Sequence, residues 1–130
     1  MEMLLLSTQH SALKFQHFLF MNYRLTLQYD GTEFSGWQAQ GEERTVQGEL
    51  VRVLSLLEGR AVVVHGSGRT DAGVHAEGQV ANVQLEREWT TAKLRGAING
   101  NLAPDVRVMD VSVAHEDFHA RFSARGKTYV

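Results

Sequence analysis

An α+β fold of the ferredoxin-like β-α-β-β-α-β type is predicted by three patterns. Asn22 to Tyr29 alternates without a break, with Tyr23, Leu25, Leu27 and Tyr29 on one side and Asn22, Arg24, Thr26 and Gln28 on the other. Val46, Leu50, Val53, Leu54 and Leu57 recur at i, i+4, i+7, i+8 and i+11, the spacing of a one-sided helix. Two strand-like runs, a second cappable helix and a last strand-like run then follow in the order this fold requires.

The first strand is half-buried by its period of two, and Asp30-Gly31 ends it with turn chemistry. A polar loop to Arg44 carries Phe34 and Trp37. Two large aromatics in such a loop either anchor it in the core or shape a nucleotide-binding cleft. Thr45 is placed to cap the first helix, which closes near Glu58-Gly59, with Gln47 in its first turn. Five buried apolar side chains there contribute about 1.5–3 kcal/mol each, mostly offset by chain entropy.

Ala61 to His65 reads as a second, buried strand and Gln79 to Leu85 as a third. Thr90 or Thr91 caps a second helix bearing Leu94, Ala97 and Ile98, which closes around Asn99-Gly100-Asn101. Pro104-Asp105 is a turn. Val106 to Val113 is the fourth strand, and its apolar phase shifts at Met109, which predicts a bulge.

The 130 residues suffice for one domain of ordinary size. With 43% hydrophobic and 22% charged residues, the composition is that of a globular protein. There are no cysteines, which excludes disulfide scaffolds and thiolate metal sites and fits a reducing, cytoplasmic setting. The net charge of −2 gives no overall attraction to nucleic acid, so RNA binding requires a local basic patch. In the first twenty residues the apolar runs, such as Leu4-Leu5-Leu6, are too short for a membrane span, and Glu2 stands where a signal peptide carries positive charge. Residues 1–21 are expected to be an extension outside the fold, with Met21 as the natural start and residues 22–130 forming the domain.

The chemistry concentrates in Gly66-Ser67-Gly68-Arg69-Thr70-Asp71-Ala72-Gly73-Val74-His75-Ala76, where a strand gives way to a glycine-rich loop presenting Arg69 and Asp71. One reading is a turn whose Asp caps the next element and whose Arg pairs with it. A phosphate-binding P-loop fits poorly, because no lysine follows the glycines and Val74 to Val83 resembles a strand. Asp71 with His75 makes only two ligands of a metal site. His115 and His119, four apart with carboxylates between them, raise a second metal reading; surface polarity on a loop leading into a strand is the competing account, and no third ligand is indicated. From Phe118 to Lys127, Arg121, Arg125 and Lys127 occur without an acid, and Phe118, Phe122 and Tyr129 are interleaved in the region. That suits RNA phosphates and bases, although a strand with core-facing Phe side chains and solvated charges explains it equally.

Gly68-Arg69-Thr70-Asp71-Ala72-Gly73-Val74-His75-Ala76 closely resembles the catalytic loop of the tRNA pseudouridine synthase A family. Tyr29-Asp30-Gly31-Thr32, Phe34-Ser35-Gly36-Trp37-Gln38, Thr45-Val46-Gln47, Phe118-His119-Ala120-Arg121-Phe122-Ser123-Ala124 and Lys127-Thr128-Tyr129 resemble further segments of that family, in family order from about Tyr23 to Val130. The resemblance implies an RNA-modifying isomerase that converts uridine to pseudouridine in the anticodon stem-loop of transfer RNA. It implies Asp71 as the catalytic carboxylate, Arg69 as its cationic neighbour or a phosphate grip, and Tyr129 stacked on the uracil. Arg121, Arg125 and Lys127 are assigned more loosely to the RNA backbone, and His75 to a structural or rim position. No cofactor and no metal are implied. The family is usually homodimeric and cytoplasmic, with no membrane partner. The chain resembles only the first of two related halves, so the fold is expected to be truncated at its C-terminal end. Marginal stability, self-association or dependence on a second polypeptide follow from that expectation. Two other readings are an RNA-binding remnant without turnover and a small metal- or phosphate-binding domain.

Overall fold

The structure, a computed structural model, describes residues 20–68 and 70–121. Strand β1 spans Met21–Tyr29, helix α1 Val46–Glu58, β2 Val64–Gly66, β3 Ala76–Leu85, helix α2 Thr91–Asn101 and β4 Val106–Val113. The four strands form one antiparallel sheet in the order β2-β3-β1-β4, the arrangement predicted for a ferredoxin-like unit. A single 3₁₀ turn, Gly31–Glu33, follows β1.

Both helices cover one face of the sheet. Tyr23, Leu25, Leu27 and Tyr29 of β1 share a core with Val46, Leu50, Val53 and Leu54 of α1 and Leu94 and Ile98 of α2. The alternation of β1 therefore sets which face is buried, and the helical spacing of α1 supplies the matching stripe. Thr45 caps α1 by accepting from the Gly48 amide at 3.1 Å, and α1 ends at Gly59 in the left-handed conformation. Thr90 caps α2 through the Lys93 amide at 3.2 Å. In β4, Asp110 faces Thr26 and Val108 faces Leu27, leaving Met109 between them as the extra residue of a bulge, half exposed to solvent. The phase shift in the sequence marks the same residue.

Several readings need correction. Ala61 to His65 is not a buried strand: pairing begins only at Val64, and Val63 is 68% exposed. The cause is local, because the Val62 amide donates to the Ser55 hydroxyl at 3.1 Å and the run lies at the sheet edge. β3 starts at Ala76, three residues before its expected start. Ala120 and Arg121 have helical backbone, where a loop into a strand was expected. Glu58, at the end of α1, is buried; its carboxylate accepts from the amides of Glu86 and Arg87 at 2.8 and 3.1 Å and so fixes the turn after β3.

Asn22 and Asn82 point away from the helices, yet both are buried. After β4 the chain folds back over that second face. Asn22 Nδ2 donates to the carbonyls of His115 and Phe118, both at 2.8 Å, and the Ala114 amide donates to the Asn22 carbonyl. Asn82 Nδ2 donates to Asn22 Oδ1 at 3.1 Å, and Asn82 Oδ1 accepts from the Ala120 amide at 2.8 Å. Two side-chain amides thus satisfy the backbone of a segment that would otherwise cross the sheet with unpaired groups.

Candidate active site

The loop from Gly66 to Ala76 joins β2 to β3, and Asp71 stands exposed near its middle. The peptide groups on both sides of Asp71 are held. The Thr70 carbonyl accepts from the Trp37 amide at 3.1 Å, and the Asp71 carbonyl accepts from the Val74 amide at 3.2 Å. The Thr70 hydroxyl lies 2.8 Å from the Tyr29 hydroxyl. Further along, the Gly73 amide donates to the Phe34 carbonyl at 3.2 Å, and the Gly31 amide donates to His75 Nδ1 at 2.9 Å. The Asp30 carboxylate lies 3.2 Å from the same nitrogen.

Apart from the Val74 bond, which is internal to the loop, these contacts come from one segment, Tyr29 to Trp37. It is stiff for reasons of its own. Asp30 caps the 3₁₀ turn by accepting from the Thr32 hydroxyl and amide at 2.6 and 3.0 Å, bonds that hold its carboxyl below the ordinary value. Phe34 and Trp37 are buried, each with its ring centroid 6.4 Å from that of Tyr29. Arg44 lies 4.0 Å over the Phe34 ring and grips Asp105 with two bonds of 2.7 and 2.9 Å, which lowers the Asp105 pKa. Two glycines let the segment and the loop touch backbone to backbone. A Cβ on Gly36, whose φ is +89°, would sit 2.5 Å from the Thr70 carbonyl oxygen, and one on Gly31 would collide with the Val74 carbonyl.

Beside the loop is a cavity of about 550 Å³, lined among others by Trp37, Gln47, His65, Gly68, His119 and Arg121. Its size is that of a small-ligand site. Gln47 braces one wall, accepting from the Ala39 amide and donating to the Val64 carbonyl, both at 2.8 Å. His65 and His119 stack with ring centroids 4.2 Å apart. Asp71 is not among the described lining residues. Trp37 is buried in the core, as the anchoring reading expects, and it also lines the cavity.

Burial, and secondarily the neighbouring His119, hold the His65 pKa below 6.5. The folded chain therefore resists a proton that the unfolded chain accepts, so this contribution to stability is lost as pH falls below about 6.5. The denaturation midpoint is expected to drop between about pH 7.5 and 5.5 in the wild type, and by less in His65→Gln. Lowered carboxyl groups such as Glu49 act at lower pH, below about 4.5, and do not confuse this window.

Asp71 and Arg121 are the expected site residues whose positions are described, one on the loop and one at the cavity. Arg69, Arg125, Lys127 and Tyr129 lie outside the described residues, as do Phe122 and the leader before Phe20. Among the described residues, no group of three or more His, Asp or Glu is placed to hold a metal ion. His115 Nδ1 instead accepts from the Asp117 amide at 3.1 Å. Sequence reasoning missed Tyr29, Thr70, His65 and the Asn22–Asn82 pair. For Tyr29 a signal existed: a tyrosine on the core-facing side of a strand needs a partner for its hydroxyl.

Residues 26–123 match the model of a family described as tRNA pseudouridine synthase. A tRNA pseudouridine synthase A of Bacillus sp. (strain KSM-64) is 46% identical over 110 residues, 84% of this chain and 45% of the relative. That of Maricaulis maris is 49% identical over 109 residues, covering 83% of this chain and 44% of the relative. That of Agrobacterium fabrum is 47% identical over 111 residues, 83% and 42% respectively. The chain spans somewhat under half the length of these curated relatives. A family model matched over residues 26–123 and identity of this level over most of the chain lead to one conclusion: the chain belongs to the tRNA pseudouridine synthase family.

Proposed function

We propose that this chain carries the reaction centre for converting uridine to pseudouridine in the anticodon stem-loop of transfer RNA, with Asp71 as its carboxylate. The observation that supports this most is the exposed Asp71 side chain held between two fixed peptide groups. The reaction breaks the bond from the sugar to N1 of uracil and forms one to C5; C5 loses its proton and N1 gains one. Substrate and product are isomers, so the balance requires no oxidant and no energy donor. An ionised Asp71 serves in either of two ways, attacking the sugar or removing a proton from it. The target nucleotide must leave its helix for the glycosidic carbon to be reached.

Arg121, at the cavity, and Arg69, Arg125 and Lys127 supply charge to the phosphates, and Tyr129 stacks on the uracil. A second copy of the chain extends the RNA surface. Incubation with unmodified transfer RNA, followed by mapping of pseudouridine, tests the proposal. Product confined to the anticodon stem-loop is expected. Product elsewhere would contradict the substrate assignment, and bound RNA without product would favour a binding remnant.

A further inference from the structure

Tyr29 is 3% exposed, packed between Phe34 and Trp37, and its ring alone would fill that space as phenylalanine does. Its hydroxyl nevertheless reaches out of the core to the Thr70 hydroxyl at 2.8 Å. Thr70 immediately precedes Asp71, and the carbonyl of the Thr70–Asp71 peptide is itself held by the Trp37 amide. The side chain and the carbonyl of Thr70 are thus tied to two aromatic residues of the core. Together these ties set the plane of the peptide entering Asp71, while the bond from Val74 sets the plane leaving it. The direction of the Asp71 Cα–Cβ bond, from which the exposed carboxylate hangs, follows from those two planes. Misplacing a reacting group by about 1 Å costs on the order of 10²-fold in rate.

We infer that Tyr29 is a positioning residue for Asp71, acting through its hydrogen bond to the Thr70 hydroxyl. This rests on the reading of Asp71 as the reaction centre. Tyr29 touches no substrate. It couples the end of β1 to a loop that, among the described residues, is otherwise held by backbone bonds, by His75 and by the Gln79 side chain on the Gly68 carbonyl.

Tyr29→Phe and Thr70→Val each remove one hydroxyl while preserving shape, so both variants keep the aromatic packing. Amide hydrogen exchange in the full chain is expected to quicken several-fold from Asp71 to Val74 in each variant, with protection in the centres of β1 and β3 unchanged. Turnover on unmodified transfer RNA is expected to fall about tenfold at a KM within about twofold of wild type. The double variant is expected to be no worse than either single one. Unchanged exchange in the loop overturns the inference, as does exchange that quickens uniformly through the sheet, which marks a general loss of stability. A drop in turnover that multiplies in the double variant also overturns it. If the wild-type chain shows no turnover, the exchange result decides alone. Asp71→Asn, measured alongside, separates the two claims: full turnover in that variant removes the Asp71 reading and the positioning role with it, whatever the loop exchange shows.

Discussion

Asp71→Asn is expected to lower pseudouridine formation by on the order of 10³-fold or more, with the fold and RNA binding intact. The amide is nearly isosteric with the carboxylate but neither attacks carbon at a useful rate nor accepts a proton. Asp71 is exposed, and among the described residues its hydrogen bond to the rest of the loop runs through its backbone carbonyl. Nothing in the core depends on its charge, so the substitution separates chemistry from folding. The comparison is made on pseudouridine content after incubation with unmodified transfer RNA, and the unfolding midpoint is recorded for both proteins. A variant retaining more than about a tenth of wild-type product would remove Asp71 from the centre of the reaction.

Gly36→Ala is expected to act through the backbone and to cost about 2–4 kcal/mol of stability together with most of the activity. Two costs combine at this position. The residue has φ +89°, a conformation that alanine adopts with strain. Its new Cβ would also stand 2.5 Å from the Thr70 carbonyl oxygen, the atom that accepts from Trp37. The clash is with backbone and has no flexible side chain to move, so the Asp71 loop must lift from the segment beneath it. Gly41→Ala is the control. Gly41 has φ +58° but no atom within 4 Å of the added carbon, so it carries the strain without the clash and is expected to cost about 1 kcal/mol. Denaturant unfolding of the two variants measures the difference. Equal losses would show that the close approach of the two backbones is not what holds the loop.

The elements that were legible in the sequence are those whose information is local. The alternation of β1, the stripe and caps of α1, the Thr90 cap and the bulge at Met109 are each written within a few residues, and each is found. The second strand was misread because an apolar run from Ala61 to Val64 looks the same whether it is paired or lying at an edge. What decides is Ser55, seven residues earlier, which takes the Val62 amide out of the sheet. Glu58 looked like the polar end of a helix. The amides that bury it belong to Glu86 and Arg87, far along the chain. Asn22 lies on the polar side of the β1 alternation, and the segment that buries it together with Asn82 arrives only after β4.

The candidate site divides in the same way. That a glycine-rich loop follows the second strand and exposes Asp71 was legible because its residues are contiguous. Its support was not, since Tyr29 lies 41 residues from Thr70, and no period or spacing marks a pair joined only by tertiary structure. His65 and His119 are likewise brought together only by the fold.

The most direct test of the account follows the hydrogen at C5 of uridine, which must leave if the sugar is rejoined through that carbon. Transfer RNA labelled there with a hydrogen isotope is incubated with the wild-type chain and with Asp71→Asn. The account predicts release of label by the wild type in step with pseudouridine formation and essentially none by the variant. Equal release by both, or none from the wild type while it holds the RNA, would contradict the claim that this chain carries the reaction centre at Asp71.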